Sequence, residues 1–249
     1  MKATLLSSAY LDDLVSQSQH ISQGAYGTVG RVPWDGGHAI LKMMRNASEM
    51  DFRRELVIME RLNSAGGAPK ILGVCYNPRA IVMSSRGELT LTRALLRNIP
   101  DWYLVYIALK IGQRLREVHE RGVVHGDIHG SNVMVTLSPD FSKPPEVFLI
   151  DFGMSGFSPQ ALSTLSPKDL ADLGDTQMVQ GNLTYSLDIK CLGMMLLEIF
   201  SIMKIALESI MKIIEMATLC EIEPAPLDDL LDKLNSVLTN NFNINPRCL

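Results

Sequence analysis

Asp127 and Asn132 stand five residues apart in the run His125-Gly126-Asp127-Ile128-His129-Gly130-Ser131-Asn132, and Asp151 follows an apolar run in Leu149-Ile150-Asp151-Phe152-Gly153. Two carboxylates and an amide on neighbouring loops suit a hard, oxygen-liganded cation such as Mg²⁺, and leave one carboxylate to act on a substrate. Upstream, Ala39-Ile40-Leu41-Lys42 sets an ammonium among apolar strand residues, where it needs a partner. Glu55 on the following helix offers one, and an ion pair with it would hold Lys42 where it can meet phosphates. Read alone, Lys42 is equally a solubility residue on an edge strand. Earlier still comes Ser22-Gln23-Gly24-Ala25-Tyr26-Gly27-Thr28-Val29. Gly24 and Gly27 would let the backbone approach triphosphate oxygens with amide N–H groups directed at them. By itself this stretch also reads as an ordinary glycine turn.

The elements that must position these groups can be read from periodicity. Residues 1–20 predict a short amphipathic helix with Leu11, Leu14 and Val15 on one side. From Ile21 to Met44 glycines punctuate short apolar runs, a strand hairpin turning at Trp34-Asp35-Gly36-Gly37. Ser48 with Asp51 fits a capping box, and Phe52, Leu56, Met59 and Leu62 recur at helical spacing up to a stop near Gly66-Gly67. Ile71–Val74 and Ala80–Met83 read as strands. The remainder is mostly helical. Pro100-Asp101 opens a long helix with Leu104, Ile107, Ile111, Leu115 and Val118 on one face, ended by Gly122. Asn132–Leu137 and Val147–Ile150 are short apolar runs. Ser166-Pro167 with Asp169 marks a helix start. Ser186 to about Thr218 is helical, in one or two pieces, and Leu227, Leu230, Leu231, Leu234 and Leu238 give a last helix.

Composition narrows the class. With 47% hydrophobic residues among 249 there is material for a large core, so wholesale disorder is not expected. A net charge of −4 argues against a nucleic-acid binder, which needs a basic face. The four cysteines (Cys75, Cys191, Cys220 and Cys248) form no CxxC pair and read as free thiols of a reducing compartment. The stretch from Cys191 to Cys220 is broken by Glu198, Lys204, Glu208, Lys212 and Glu215, so no membrane span is expected. The expected setting is soluble and intracellular.

In fixed order, the glycine-rich loop, strand lysine, HxDxxxxN loop and Asp-Phe-Gly triplet resemble the protein kinases, from about Ile21 to Phe200. The resemblance implies an α+β, bilobal fold. A small antiparallel-sheet N-lobe with one helix would span about 1–83, a hinge 84–88, and a shortened, mainly helical C-lobe 89–249. It implies ATP and Mg²⁺ as cofactors and transfer of the γ-phosphate to Ser or Thr hydroxyls of a protein. Lys42 would contact the α- and β-phosphates and pair with Glu55. Asp127 would orient the attacking hydroxyl and take its proton, while Asn132 and Asp151 would hold Mg²⁺. Ser22, Gly24, Tyr26 and Gly27 would cover the phosphates, and Val29 and Ala39 the adenine. Met83 would be the gatekeeper, with the backbone of Ser84, Ser85 and Arg86 facing adenine. Met59, His125 and Phe152 would stack as a spine, and Asp188 would brace the catalytic loop.

Departures from the family pattern carry their own expectations. Ser22 replaces the first loop glycine, Gly126 the arginine beside the catalytic aspartate, and His129 the lysine two residues after it. Gly126 removes part of the usual pocket for a phosphorylated activation segment. Activity is therefore expected without phosphorylation of Ser163, Thr164, Ser166, Thr176 or Thr184. No Ala-Pro-Glu motif follows, and the short C-lobe resembles compact viral or bacterial-effector kinases. A regulatory protein covering that lobe is one expectation. The run HGDIHGSN also resembles aminoglycoside and choline phosphotransferases. A small-molecule kinase and a non-catalytic kinase-fold binding module stand as alternatives.

Overall fold

The structure, a computed structural model, describes residues 3–24, 27–162, 183–205, 208–219 and 227–245. The described residues fall into two compact units, one of residues 3–64 and 68–85, the other of 65–67, 86–162, 183–205, 208–219 and 227–245. Tyr26, the expected helix start at Ser166-Pro167, and Ser163, Thr164, Thr176, Cys220 and Cys248 lie outside the described residues.

The first unit runs β1 (Thr4–Leu5), α1 (Ser8–Ser16), β2 (Gln19–Gly24), β3 (Gly27–Trp34), β4 (Gly37–Met43), α2 (Glu49–Leu62), β5 (Ile71–Tyr76) and β6 (Arg79–Ser84). Its sheet has the order β1-β5-β6-β4-β3-β2, antiparallel throughout except where β1 runs parallel to β5. Strand side chains alternate between faces, and the alternation on β4 is unusually clear. Ala39, Leu41 and Met43 join Leu6, Leu11, Leu14, Val32, Ala80 and Val82 in one buried cluster, so α1 and the β1 segment cover that face. Val15 stays exposed, which narrows the apolar side of α1 to Leu11 and Leu14. Ile40 and Lys42 take the other face. Helix α2 is opened by the expected capping box, with Ser48 Oγ accepting the Asp51 N–H at 3.0 Å and the Asp51 carboxylate accepting the Ser48 N–H at 3.2 Å, worth about 1 kcal/mol. It ends before the glycines expected to stop it. Asn63 adopts the left-handed conformation (φ 45°) and caps Met59, and Ala65–Gly67 form a separate 3₁₀ turn.

The second unit is built on α4 (Asp101–Glu120), whose Leu104, Ile107, Leu109, Ile111, Leu115 and Val118 are all fully buried. Before it come β7 (Leu89–Thr90) and α3 (Leu91–Ala94); after it come β8 (Val123–Val124), β9 (Val133–Thr136), β10 (Glu146–Leu149), β11 (Gly156–Phe157) and α5 (Pro159–Leu162). Helices α6 (Tyr185–Ser201), α7 (Glu208–Thr218) and α8 (Leu227–Phe242) complete the described chain. Helix α4 packs on α8, α6 and β10. Two small antiparallel sheets, β10-β9-β7 and β11-β8, hold the loops between them in register. The helical stretch from Ser186 is two pieces, as one of the sequence readings had it. A strand-rich unit with one long helix and a mainly helical unit make up the α+β fold that the sequence led one to expect, and among the described residues no helix is long and apolar enough to cross a membrane.

Candidate active site

In the first unit, Lys42 Nζ donates to Glu55 Oε1 at 2.7 Å and to Oε2 at 2.9 Å. The pair is largely dry, with side-chain exposures of 12% and 2%. Strand register places the neighbours. Lys42 pairs with Val29 on β3 and with Ile81 on β6, while Ile40 pairs with Arg31 and Met83. Cross-strand partners share a face, so Val29, Ile40, Lys42, Ile81 and Met83 line one side of the sheet. Ser22, opposite Val29, lies on it too.

That register overturns the placement of Ala39 over an adenine. Ala39 is fully buried in the cluster with Leu11 and Leu14, on the face opposite Lys42. The physical reason is the two-residue period of a strand: a residue three before the lysine points away from it, and the one two before it, Ile40, points with it. The same period was available in the sequence. The glycine-rich hairpin brings β2 and β3 together at Gly24 and Gly27. A Cβ on Gly27 would strike the Met43 carbonyl oxygen and stand 2.8 Å from its carbon, so backbone packing alone demands glycine there. Gly24 faces open space. At the end of β6, the Ser84 N–H donates to the Lys70 carbonyl and its hydroxyl accepts the Lys70 N–H, both at 2.9 Å. The Ser84 amide is thus engaged within its own unit. Ser85 is exposed, and Arg86 lies with its guanidinium 5.7 Å from the Phe148 ring centroid.

In the second unit the loop 125–132 is built around a buried carboxylate. Asp188, in the first turn of α6, is fully buried. It accepts the His125 N–H at 2.8 Å, the Gly126 N–H at 2.8 Å and His119 Nε2–H at 2.9 Å. His125 is itself fully buried and stacks on Phe152, ring centroids 4.8 Å apart. Its Nδ1 accepts the Asp127 N–H at 3.3 Å and its Nε2 lies 3.1 Å from the Ile150 carbonyl. Burial holds the imidazole below its usual pKa, with the Asp188 carboxylate opposing, so it is neutral with the proton on Nε2. The Ser155 hydroxyl donates to the His125 carbonyl at 2.7 Å, tying the segment after Asp151 to the same loop. Met59, the third expected stacking residue, is buried within the first unit.

Asn132 donates through Nδ2 to the Asp127 carbonyl at 3.0 Å and to Asp127 Oδ2 at 2.9 Å. Its own carbonyl accepts the Ile150 N–H at 2.9 Å, coupling the loop to the residue before Asp151. Asp151 is exposed, sits at φ 62° and accepts the Gly153 N–H at 3.3 Å. With its amide nitrogen committed to Asp127, Asn132 has its amide oxygen left for a cation. That oxygen and a carboxylate are hard donors, and Mg²⁺ takes few protein oxygens beside phosphate and water, so this donor set fits it.

The Gly126 position is not an arginine site with the side chain merely removed. Gly126 has φ +79°, and a Cβ there would lie 2.6 Å from the Met154 carbonyl oxygen and 3.1 Å from Leu183 Cδ2. His119, Ser155 and Ile40 are the contributors that sequence reasoning passed over. Only Ile40 had a local signal, since His119 meets Asp188 from 69 residues away. Cys191 is half-buried near Asp188 and Asp127, and burial first, then those carboxylates, push its thiol up, away from reactivity.

A family model described as protein tyrosine and serine/threonine kinase matches residues 15–247, and the chain belongs to that family. Among curated proteins it is similar to an EKC/KEOPS complex subunit BUD32 of Cryptococcus neoformans, 44% identical over 50 residues, 20% of this chain and 17% of that protein. It is similar to a probable serine/threonine-protein kinase gdt2 of Dictyostelium discoideum, 26% identical over 196 residues, 73% of this chain and 12% of that protein. KEOPS complex subunit Bud32 of Pyrococcus abyssi is 29% identical over 106 residues, 42% of this chain and 44% of that protein. The chain thus spans less than half the length of each of these relatives.

Proposed function

We propose that the chain is an ATP- and Mg²⁺-dependent kinase that transfers the γ-phosphate of ATP to Ser or Thr hydroxyls of proteins. The observation that carries this reading is the Asp127 carboxylate, fixed through Oδ2 by Asn132 and leaving Oδ1 without a partner among the described residues. An ionised carboxylate so held can align a hydroxyl and accept its proton as the oxygen attacks phosphorus. Lys42, steadied by Glu55, is the cation for the α- and β-phosphates. Asn132 and Asp151 are the Mg²⁺ ligands, and the bound metal supplies charge neutralisation on the transferring phosphoryl group. Val29, Ile40 and Met83 are the apolar cover for adenine, and Ser22, Gly24 and Gly27 the loop over the phosphates, with Ser85 and Arg86 beyond the gatekeeper.

Two relatives are named as subunits of a complex. We infer that this chain also works with a protein partner, carried on its helical unit. The test is a panel incubated with γ-labelled ATP, first with casein and histone, then with aminoglycosides and choline. Label on a protein Ser or Thr is expected. Label on a small molecule alone would move the chain to the small-molecule phosphotransferases, and none on any acceptor would make it a binding module.

A further inference from the structure

Position 129 holds an imidazole where the family pattern places an ammonium, and its setting is specific. The His129 Nδ1 accepts the Ser131 N–H at 3.3 Å. A neutral imidazole that accepts at Nδ1 carries its proton on Nε2. That Nε2 lies 3.5 Å from Asp127 Oδ2, the same oxygen that Asn132 Nδ2 reaches at 2.9 Å. Two N–H groups therefore converge on one carboxylate oxygen from opposite ends of a short loop. At 3.5 Å the histidine contact is a long electrostatic one, of the kind that tightens when substrate docks. The loop is held to keep this arrangement. The His129 carbonyl accepts the Asn132 N–H at 2.9 Å, and the Gly130 carbonyl accepts the Thr92 N–H at 3.2 Å. A Cβ on Gly130 would stand 2.6 Å from Thr92 Oγ1, so α3 closes directly on the loop.

We infer that His129 is a positioning residue for Asp127: its Nε2–H and the Asn132 amide together fix Oδ2, which makes Oδ1 the atom that takes the proton of the substrate hydroxyl. This rests on the kinase reading above. Under it His129 acts through Asp127 and not on the nucleotide, unlike a lysine directed at phosphate. Substitution must then lower turnover while leaving nucleotide affinity alone. A Gln side chain carries an amide N–H to about the place of Nε2, whereas Leu fills the space and donates nothing.

The experiment uses the full chain with γ-labelled ATP and casein, comparing wild type, His129→Leu, His129→Gln and Asp127→Asn. The expected result is a fall in kcat of about 10- to 100-fold for His129→Leu, on the scale of a small misplacement of a catalytic group. KM for ATP should stay within about twofold, and His129→Gln should recover most of the loss. Unchanged kcat in His129→Leu, equal losses in Leu and Gln, or a loss confined to KM for ATP would overturn the inference while Asp127→Asn still reports on the kinase reading. A second measurement needs no turnover. ¹⁵N NMR of the histidine side chains should show His129 as the Nε2–H tautomer, with a Nε2 resonance that moves in Asp127→Asn. An Nδ1–H tautomer, or no response to Asp127→Asn, would overturn the inference whatever the acceptor proves to be.

Discussion

Replacing Lys42 by Met removes a cation from a dry, two-pronged contact, with a consequence for stability and, on the proposed kinase reading, for rate. Both Glu55 oxygens lie within 2.9 Å of Nζ, and the Glu55 side chain is only 2% exposed. Breaking such a pair from one side costs about 3–5 kcal/mol, because a buried carboxylate loses its counter-charge. On the proposed kinase reading, losing the Lys42 contact to phosphate lowers transfer by a further factor of about 10²–10³. The two effects separate in Lys42→Met/Glu55→Gln, which removes the buried carboxylate charge and restores most of the stability but none of the activity. The first unit carries Trp34 and the second Trp102. In a Trp102→Phe background, Trp34 fluorescence during urea unfolding reports the first unit by itself. The expected order of midpoints is wild type, then the double variant, then Lys42→Met, with transfer to casein lost in both variants. A Lys42→Met protein as stable as wild type, or a double variant that regains transfer, would refute the reasoning.

Asp127→Asn should abolish transfer yet keep its thermal shift with Mg·ATP, since Asp127 is assigned to the hydroxyl. Asp151→Asn, whose new side chain tolerates φ 62°, should lose that shift while its own melting temperature holds; equal loss in both variants would sink the division of roles. Gly126→Arg, which restores the family's usual residue, should lose activity and not gain it. A non-glycine residue at φ +79° costs about 1–2 kcal/mol, and its Cβ must displace Met154. Transfer at or above the wild-type rate would show that the loop opens to admit the arginine.

Most of the fold was legible because its signals are local. The capping box of Ser48 and Asp51, the period of α4 and the turn after Trp34 each depend on residues within a few positions. The candidate site could be proposed from sequence for the same reason, as its motifs are short local runs. What the sequence hid was non-local or two-residue in phase. Strands β1, β7, β8 and β11 are each two residues long, too short for any alternation to register, and exist because a distant strand pairs with them. Ala39 was misplaced by a single residue of phase, which in a strand reverses the face. Gly126 read as a missing arginine because sequence shows what a residue lacks, not what its backbone touches.

The Gly126 geometry also bears on how such a loop keeps its shape. In the second unit His125, Ser155, Ser158 and Asp188 are all buried. Burying these groups is costly unless each finds a partner, and here they find one another or the main chain. Tyr185 adds to the set, its hydroxyl lying 3.0 Å from Ser158 Oγ and 3.2 Å from the His119 carbonyl while its ring stacks on His119. A network satisfied in this way has few alternative arrangements of comparable energy, because any shift strands a buried donor. The backbone of 125–126 is thereby set by Asp188, and the start of the segment after Asp151 by Ser155 and by the β8–β11 pairing. In a protein that places a side-chain cation at position 126, that order would come from charge added to the segment. Here it comes from Asp188, Ser155 and the β8–β11 pairing, and glycine at 126 is what leaves room for the Met154 carbonyl beside that loop.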